Sequence, residues 1–109
     1  MISAIILAAG EGKRMGAIKQ LLNWGSKTVI ETVIENIKNC NKINEIILVL
    51  GANADKIRPH INNYINNDFK IKINQDYNQG MLSTIKKGIE ELSPESENIL
   101  FTLGDQPLI

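Results

Sequence analysis

One cysteine, Cys40, is too few for an internal disulfide, and the thiol reads as a reduced cytosolic side chain at a helix end. Charge of either sign is in no excess. Twelve Lys and Arg offset twelve Asp and Glu, so no global field gathers nucleic acid or anionic lipid, and any anion site must be local. Long hydrophobic runs are also lacking. The apolar opening stops at Gly10, far short of the roughly 20 residues that span a bilayer. It has no basic residue ahead of it and leads into glycines and charges rather than a cleavage site. A cytoplasmic protein without nucleic-acid or membrane partners is therefore expected. The single histidine, His60, stands apart from every motif and reads as a surface residue. There is no internal repeat, low-complexity tract or linker. What is present is 109 residues with 43% hydrophobic side chains, enough for one domain with a modest core.

Apolar runs and helical periods alternate along the chain. Ala4 to Ala8 reads as a central parallel strand. Thr28-Val29-Ile30-Glu31 has the form of a capping box, and Val29, Val33, Ile34 and Ile37 follow at helical spacing, predicting a helix over about Val29 to Asn39. Glu45 to Leu50 is a second strand. Ile57, Ile61, Tyr64 and Ile65 mark a second helix, with Pro59 expected in its first turn. Phe69, Ile71 and Ile73 alternate with lysines as a third strand ending near Asn74. Leu82, Ile85, Ile89 and Leu92 predict the buried face of a third helix stopped by Ser93-Pro94, with Gly88 marking close packing inside it. Ile99 to Leu103 reads as a fourth buried strand. Strands alternating with helices imply a mostly parallel sheet in a Rossmann-like three-layer α/β/α arrangement, with ligands at the carboxyl ends of the strands.

Gly10 through Lys27 has no periodicity and is long for a strand-to-helix connection, which marks it as functional. Gly10, Gly12 and Gly16 permit positive φ and close approach of backbone N–H groups to a ligand, while Lys13, Arg14 and Lys19 supply charge for phosphate oxygens. A solvated surface turn is disfavoured by the position behind a buried strand. No Lys-Ser/Thr follows Gly16, so the segment is not a Walker loop. A dinucleotide fingerprint would need glycine where Met15 stands, and an acidic residue where Gly51-Ala52-Asn53 follows the second strand. Trp24 is expected to pack beneath this loop, and Tyr77 to be a half-buried loop aromatic.

Asp105 follows the last apolar run and precedes Gln106-Pro107, a turn that holds its carboxylate at the sheet edge. A fixed carboxylate beside a loop suited to a polyphosphate suits Mg²⁺, which takes hard oxygen ligands and commonly one or two carboxylates plus substrate phosphates. An Asp that merely caps the next turn is the alternative.

Three segments in this order, ILAAGEGKRMGAIKQLL, Asn74 to Ser83 and LGDQPL, resemble the nucleotidyltransferases that complete the molybdenum cofactor. The likeness is strongest to the cytidylyltransferases that join CTP to molybdopterin. It covers the whole chain and implies the nucleotide-diphospho-sugar transferase fold, a Mg²⁺ cofactor, and CTP and molybdopterin as partners. Ala9, where guanylyl-transferring relatives have a second glycine, leans the base towards cytosine. The resemblance places Lys19 on the α-phosphate and Arg14 on the triphosphate, with the amides of Ala9, Gly10 and Gly12 cradling the rest. Leu7, Ala8, Asn74, Gly80 and Ser83 would line the nucleoside pocket, and Asp105 would hold Mg²⁺. The chain departs from the pattern at Asn23 and Gln75, where the family has prolines, and at Tyr77, where it has a tryptophan. Relatives continue nearly as far again. Residues 1–109 are thus expected to be the N-terminal nucleotide-binding part of a single, incomplete nucleotidyltransferase domain, with a sheet edge open to self-association. Transfer to a sugar or polyol phosphate, and a non-catalytic nucleotide-binding fragment, are the other readings.

Overall fold

In the computed structural model, residues 1–10, 13–14 and 17–105 are described, with side chains described at all of these except 13, 14 and 17. Four parallel strands form the central sheet: β1 (Ile2–Ala8), β2 (Glu45–Leu50), β3 (Phe69–Ile73) and β4 (Asn98–Leu103). Their spatial order is β3-β2-β1-β4. Ser3 to Ala8 register against Glu45 to Leu50 on one side of β1, and Ile2 to Leu7 register against Asn98 to Leu103 on the other.

Three helices connect them: α1 (Val29–Lys38), α2 (Ala54–Ile61) and α3 (Met81–Glu90). The two-residue side-chain period of β1 divides the core. Ala4, Ile6 and Ala8 face α1 and α2 together with Ile46, Leu48 and Leu50, whereas Ile5, Leu7 and Ala9 face Ile85 and Leu92 with Ile47 and Val49. The result is the expected three-layer α/β/α arrangement. α1 begins where the sequence predicts it. Thr28 Oγ1 accepts from the Glu31 N–H at 3.3 Å and the Glu31 carboxylate accepts from the Thr28 N–H at 3.2 Å, a complete capping box.

Three expectations need correction. α2 starts at Ala54, so Pro59 lies at its sixth residue rather than in the first turn, and the helix closes one turn early into a 3₁₀ segment, Asn62–Tyr64. Both Asp55, whose carbonyl Pro59 cannot serve, and Pro59 itself are exposed, so water can take the vacated bond. α3 buries Thr84 and Gly88 against the sheet, while Leu82 is 64% and Ile89 45% exposed, so its inward face is rotated from the apolar stripe read from sequence. Finally, β4 is an edge strand rather than a buried one, with Ile99, Leu100 and Phe101 each about 40% exposed. Among the described residues no helix is long and apolar enough to cross a membrane.

Gly88 explains the rotation of α3. A Cβ there would lie 2.6 Å from Ile5 Cγ2 and 3.3 Å from Val49 Cγ2, so only glycine lets the helix backbone settle on β1 and β2. At the other end of the strands Glu45 is buried. Burial alone would raise its pKa, but hydrogen bonds from Ser93 Oγ (2.5 Å), Ser3 Oγ (2.8 Å) and the Ser93 N–H, with Lys70 Nζ at 3.1 Å, outweigh it and hold the carboxyl at about 2.

Two outcomes follow from this packing. Gly88→Ala should cost roughly 1–3 kcal/mol in urea unfolding despite alanine's better helix propensity, because the β-branched Ile5 cannot swing aside; equal or higher stability would refute the contact. Glu45 is lowered relative to its ordinary 4.5, so its contribution is complete above that pH and drains away as pH falls towards 2. Between pH 6 and pH 2 the wild type should lose on the order of 3 kcal/mol more than Glu45→Gln, read from denaturant melts at each pH. Parallel pH profiles for the two proteins would exclude this account.

Candidate nucleotide-binding site

The order β3-β2-β1-β4 reverses direction between β1 and β4: the chain runs outward through β2 and β3, then returns to the far side of β1. In open parallel sheets, that reversal opens a crevice at the carboxyl ends of the strands, because the flanking helices leave on opposite faces. Here the crevice lies beyond Ala8 and Leu103. Gly104 closes it tightly, its N–H donating to Leu7 O at 2.9 Å, and a Cβ at that position would meet Ala8 Cβ at 2.7 Å. Asp105 is thereby drawn in beside the segment that follows β1.

That segment is less irregular than its sequence suggests. Short antiparallel ladders join Lys13–Arg14 to Ala17–Ile18 and Asn23–Trp24 to Lys27–Thr28, with a 3₁₀ turn, Lys19–Leu21, between them. The second ladder turns at Gly25, φ 69°. Leu21 anchors the 3₁₀ turn on the α1 side of the core, and Val29 N–H donates to Leu22 O at 2.9 Å. Lys19 is thus held at the mouth of the crevice, its Nζ 3.9 Å from Asp105 Oδ2, with both side chains partly exposed. Trp24 does not pack beneath the loop; it is 54% exposed at the tip of the second ladder. Gly10 is not in the left-handed region, and its contribution is open space, with nothing within 4 Å of where a Cβ would lie.

Two contiguous cavities occupy the crevice. One, of about 180 Å³, is lined by Leu7, Ala9, Gly10, Tyr77, Gly80, Met81 and Thr84, with no ionised group in its wall. The other, of about 200 Å³, shares Leu7, Gly10 and Met81 and adds Ala8, Gln20, Leu103 and Asp105. Of the residues singled out from sequence, Leu7, Ala8, Ala9, Gly10, Gly80 and Asp105 meet here, and Lys19 reaches them through its ion pair. Gly12 and the side chain of Arg14 lie outside the described residues. Asn74 and Ser83 are absent from the walls of both cavities. Asn74 is fully buried: its Nδ2 donates to Ser83 Oγ (3.0 Å) and Thr84 Oγ1 (3.1 Å), and its Oδ1 accepts from the Asp76 N–H (2.9 Å). Ser83 Oγ in turn donates to the carbonyls of Gly80 and Asp76. These two residues tie the end of β3 to the start of α3, fixing Gly80 (φ 101°) and Met81 at the rim.

Sequence reading passed over Met81 and Gln20. Met81 is 53% exposed, yet forms part of both cavity walls. Gln20 is only 3% exposed and, among the described residues, its Oε1 has no hydrogen-bond partner, an omission that ordinarily costs about 1–3 kcal/mol. Only its burial distinguishes it from the many solvent-facing polar residues, which is why no sequence signal marked it. Among the described residues no group of three or more His, Cys, Asp or Glu is placed to hold a metal ion, so Asp105 would share any cation with ligand oxygens or water.

Residues 4–109 match the family model described as the MobA-like NTP transferase domain. The chain is 34% identical to the molybdenum cofactor cytidylyltransferase of Escherichia coli K12 over 109 residues, covering 99% of this chain and 53% of that protein. It is 32% identical to a probable molybdenum cofactor guanylyltransferase of Methanosarcina mazei, covering 98% of this chain and 47% of that protein. A nucleotidyl transferase from Methanothermobacter thermautotroptrophicus superposes with a TM-score of 0.86 at 26% identity, over 100% of this chain and 52% of that one. The chain therefore spans about half the length of the curated relatives it matches.

The Asn74 clamp can be tested directly. Asn74→Ala should lower stability by roughly 1–3 kcal/mol and speed amide exchange at Asp76 and along 77–83, since the buried Thr84 hydroxyl and the Asp76 N–H lose this partner and Ser83 Oγ keeps only its backbone carbonyls. Unchanged exchange in that segment would show that the rim is held some other way.

Proposed function

Because the chain belongs to the MobA-like NTP transferase family, we propose that it binds a nucleoside triphosphate in the crevice between β1 and β4 and acts in transfer of the nucleotidyl group to molybdopterin, releasing pyrophosphate. CTP is the favoured donor. In this reading residues 1–109 are the nucleotide-binding part of a single nucleotidyltransferase domain. The observation that supports it best is the approach of Lys19 to Asp105, at 3.9 Å, beside the glycine-containing segment that leaves β1. A cation and a carboxylate from opposite ends of the chain meet where a polyphosphate needs both.

Nucleotidyl transfer requires an acceptor phosphate oxygen in line with the α-phosphorus, neutralisation of charge on the α-phosphate, and a stabilised pyrophosphate leaving group. No nucleophilic side chain is needed; positioning and electrostatics carry the reaction. Lys19 would sit against the α-phosphate and Arg14 against the rest of the triphosphate, with the amides of Ala9, Gly10 and Gly12 cradling it. The uncharged cavity bounded by Leu7, Ala9, Tyr77, Gly80 and Thr84 suits a planar base, with Asn74 and Ser83 acting through the rim that they hold. Mg²⁺ fits a partly buried single carboxylate facing ligand phosphates, so Asp105 would hold the ion, which would neutralise phosphate charge. The identity of the base rests on Ala9, and relatives named for both cytidylyl and guanylyl transfer share the match.

Calorimetric titration with CTP and GTP in Mg²⁺ should give saturable binding, tighter for CTP and about ten- to a hundredfold weaker in Lys19→Ala, the range for losing a charge-assisted hydrogen bond. Pyrophosphate release with molybdopterin should follow the same order. Equal affinity of wild type and Lys19→Ala would remove Lys19 from the triphosphate site.

A further inference from the structure

We propose that Gln20 is the residue that reads the ribose of the bound nucleotide, its side-chain amide taking a hydrogen bond from one of the two ring hydroxyls. The inference rests on the nucleotide reading above and deepens it. Gln20 is 3% exposed and lines the cavity that also holds Asp105, and its Oε1 lacks a partner among the described residues. A buried amide oxygen left without a donor is rare in native proteins, and one in the wall of a cavity is completed by what enters the cavity. No hydrogen bond holds that oxygen in place, and the terminal amide torsion is broad, so the group can turn its carbonyl to the cavity without breaking a contact made by Oε1.

What enters must offer a donor. Phosphate oxygens and the Asp105 carboxylate are acceptors and would oppose the amide oxygen, which excludes the triphosphate as its partner. The remaining walls, Leu7, Ala8, Met81 and Leu103, are apolar and suit the C–H surface of a sugar ring. The order of the crevice agrees. The uncharged cavity next door takes the base, Lys19 marks the phosphates, and the cavity between them, with Gln20 in its wall, is where the ribose falls.

The test is a cycle that removes the hydroxyl from the ligand and the amide from the protein. Wild type and Gln20→Met, which keeps the volume and loses the acceptor, are titrated with CTP, 2′-deoxy-CTP and 3′-deoxy-CTP in Mg²⁺, and with the GTP series if GTP binds more tightly. Wild type should lose about three- to tenfold in affinity on removal of one of the two hydroxyls, the range for a neutral hydrogen bond. Gln20→Met should bind the parent nucleotide more weakly by a similar factor and no longer distinguish it from that deoxy form. Without ligand, Gln20→Met should melt no lower than wild type, because the substitution removes an orphaned polar atom. Uniform weakening of all three nucleotides, undiminished discrimination in the variant, or a lower melting temperature of the free variant would overturn the assignment. Failure of wild type to bind either CTP or GTP would instead overturn the nucleotide reading itself, which keeps the two failures apart.

Discussion

The contact between Gly104 and Ala8 is the constraint on which the site depends. β4 can leave the sheet edge and bring Asp105 back over β1 only because neither residue carries bulk at the crossing; a Cβ on Gly104 would also press to 3.1 Å from Ile30 Cδ1 of α1. The same crossing supplies the Gly104 N–H to Leu7 O bond, which continues the β1–β4 ladder one step beyond the last paired residues. A larger residue at either position would push the acidic end of β4 away from Lys19 and widen the crevice.

Around that crossing the chain separates two tasks. At the amino ends of the strands, Glu45 gathers Ser3, Ser93 and Lys70 and so ties β1, β3 and the segment after α3 to β2, with no link to the crevice. At the carboxyl ends, polar groups are spent on internal clamps, as in Asn74, left facing the crevice, as in Lys19 and Asp105, or buried in its wall without a partner among the described residues, as in Gln20. A buried polar atom satisfied within the protein adds rigidity, whereas one left unsatisfied trades stability for recognition. Membership of a nucleotidyltransferase family agrees with that division, since such chemistry asks for a rigid frame and a few groups aimed at charge.

Much of this was legible in the residues because it is local. The capping box at Thr28 and Glu31, the apolar run of β2 and the alternation in β3 each depend on neighbours within a few positions, and each appears where sequence places it. The misreadings share the opposite property. The run ILFTL looks buried, but its place at the edge of the order β3-β2-β1-β4 leaves Ile99, Leu100 and Phe101 partly exposed. Leu82 and Ile89 have the period of a core face, yet α3 turns them outward so that Gly88 can meet Ile5. Pro59 sits inside α2 because exposed backbone at that position can be served by water.

The sequence by itself determined the alternation of strands and helices, the glycine and cation chemistry after β1, and the acidic turn after β4, because hydrophobic period, capping and turn preference act between near neighbours. Only the tertiary structure decided that Lys19 and Asp105 face each other, that Asn74 and Ser83 are clamps rather than cavity walls, and that Gln20 is buried with an open acceptor. Those properties arise from strand order and from which face of each element is covered. Both depend on contacts between residues far apart in the chain, which no local pattern encodes.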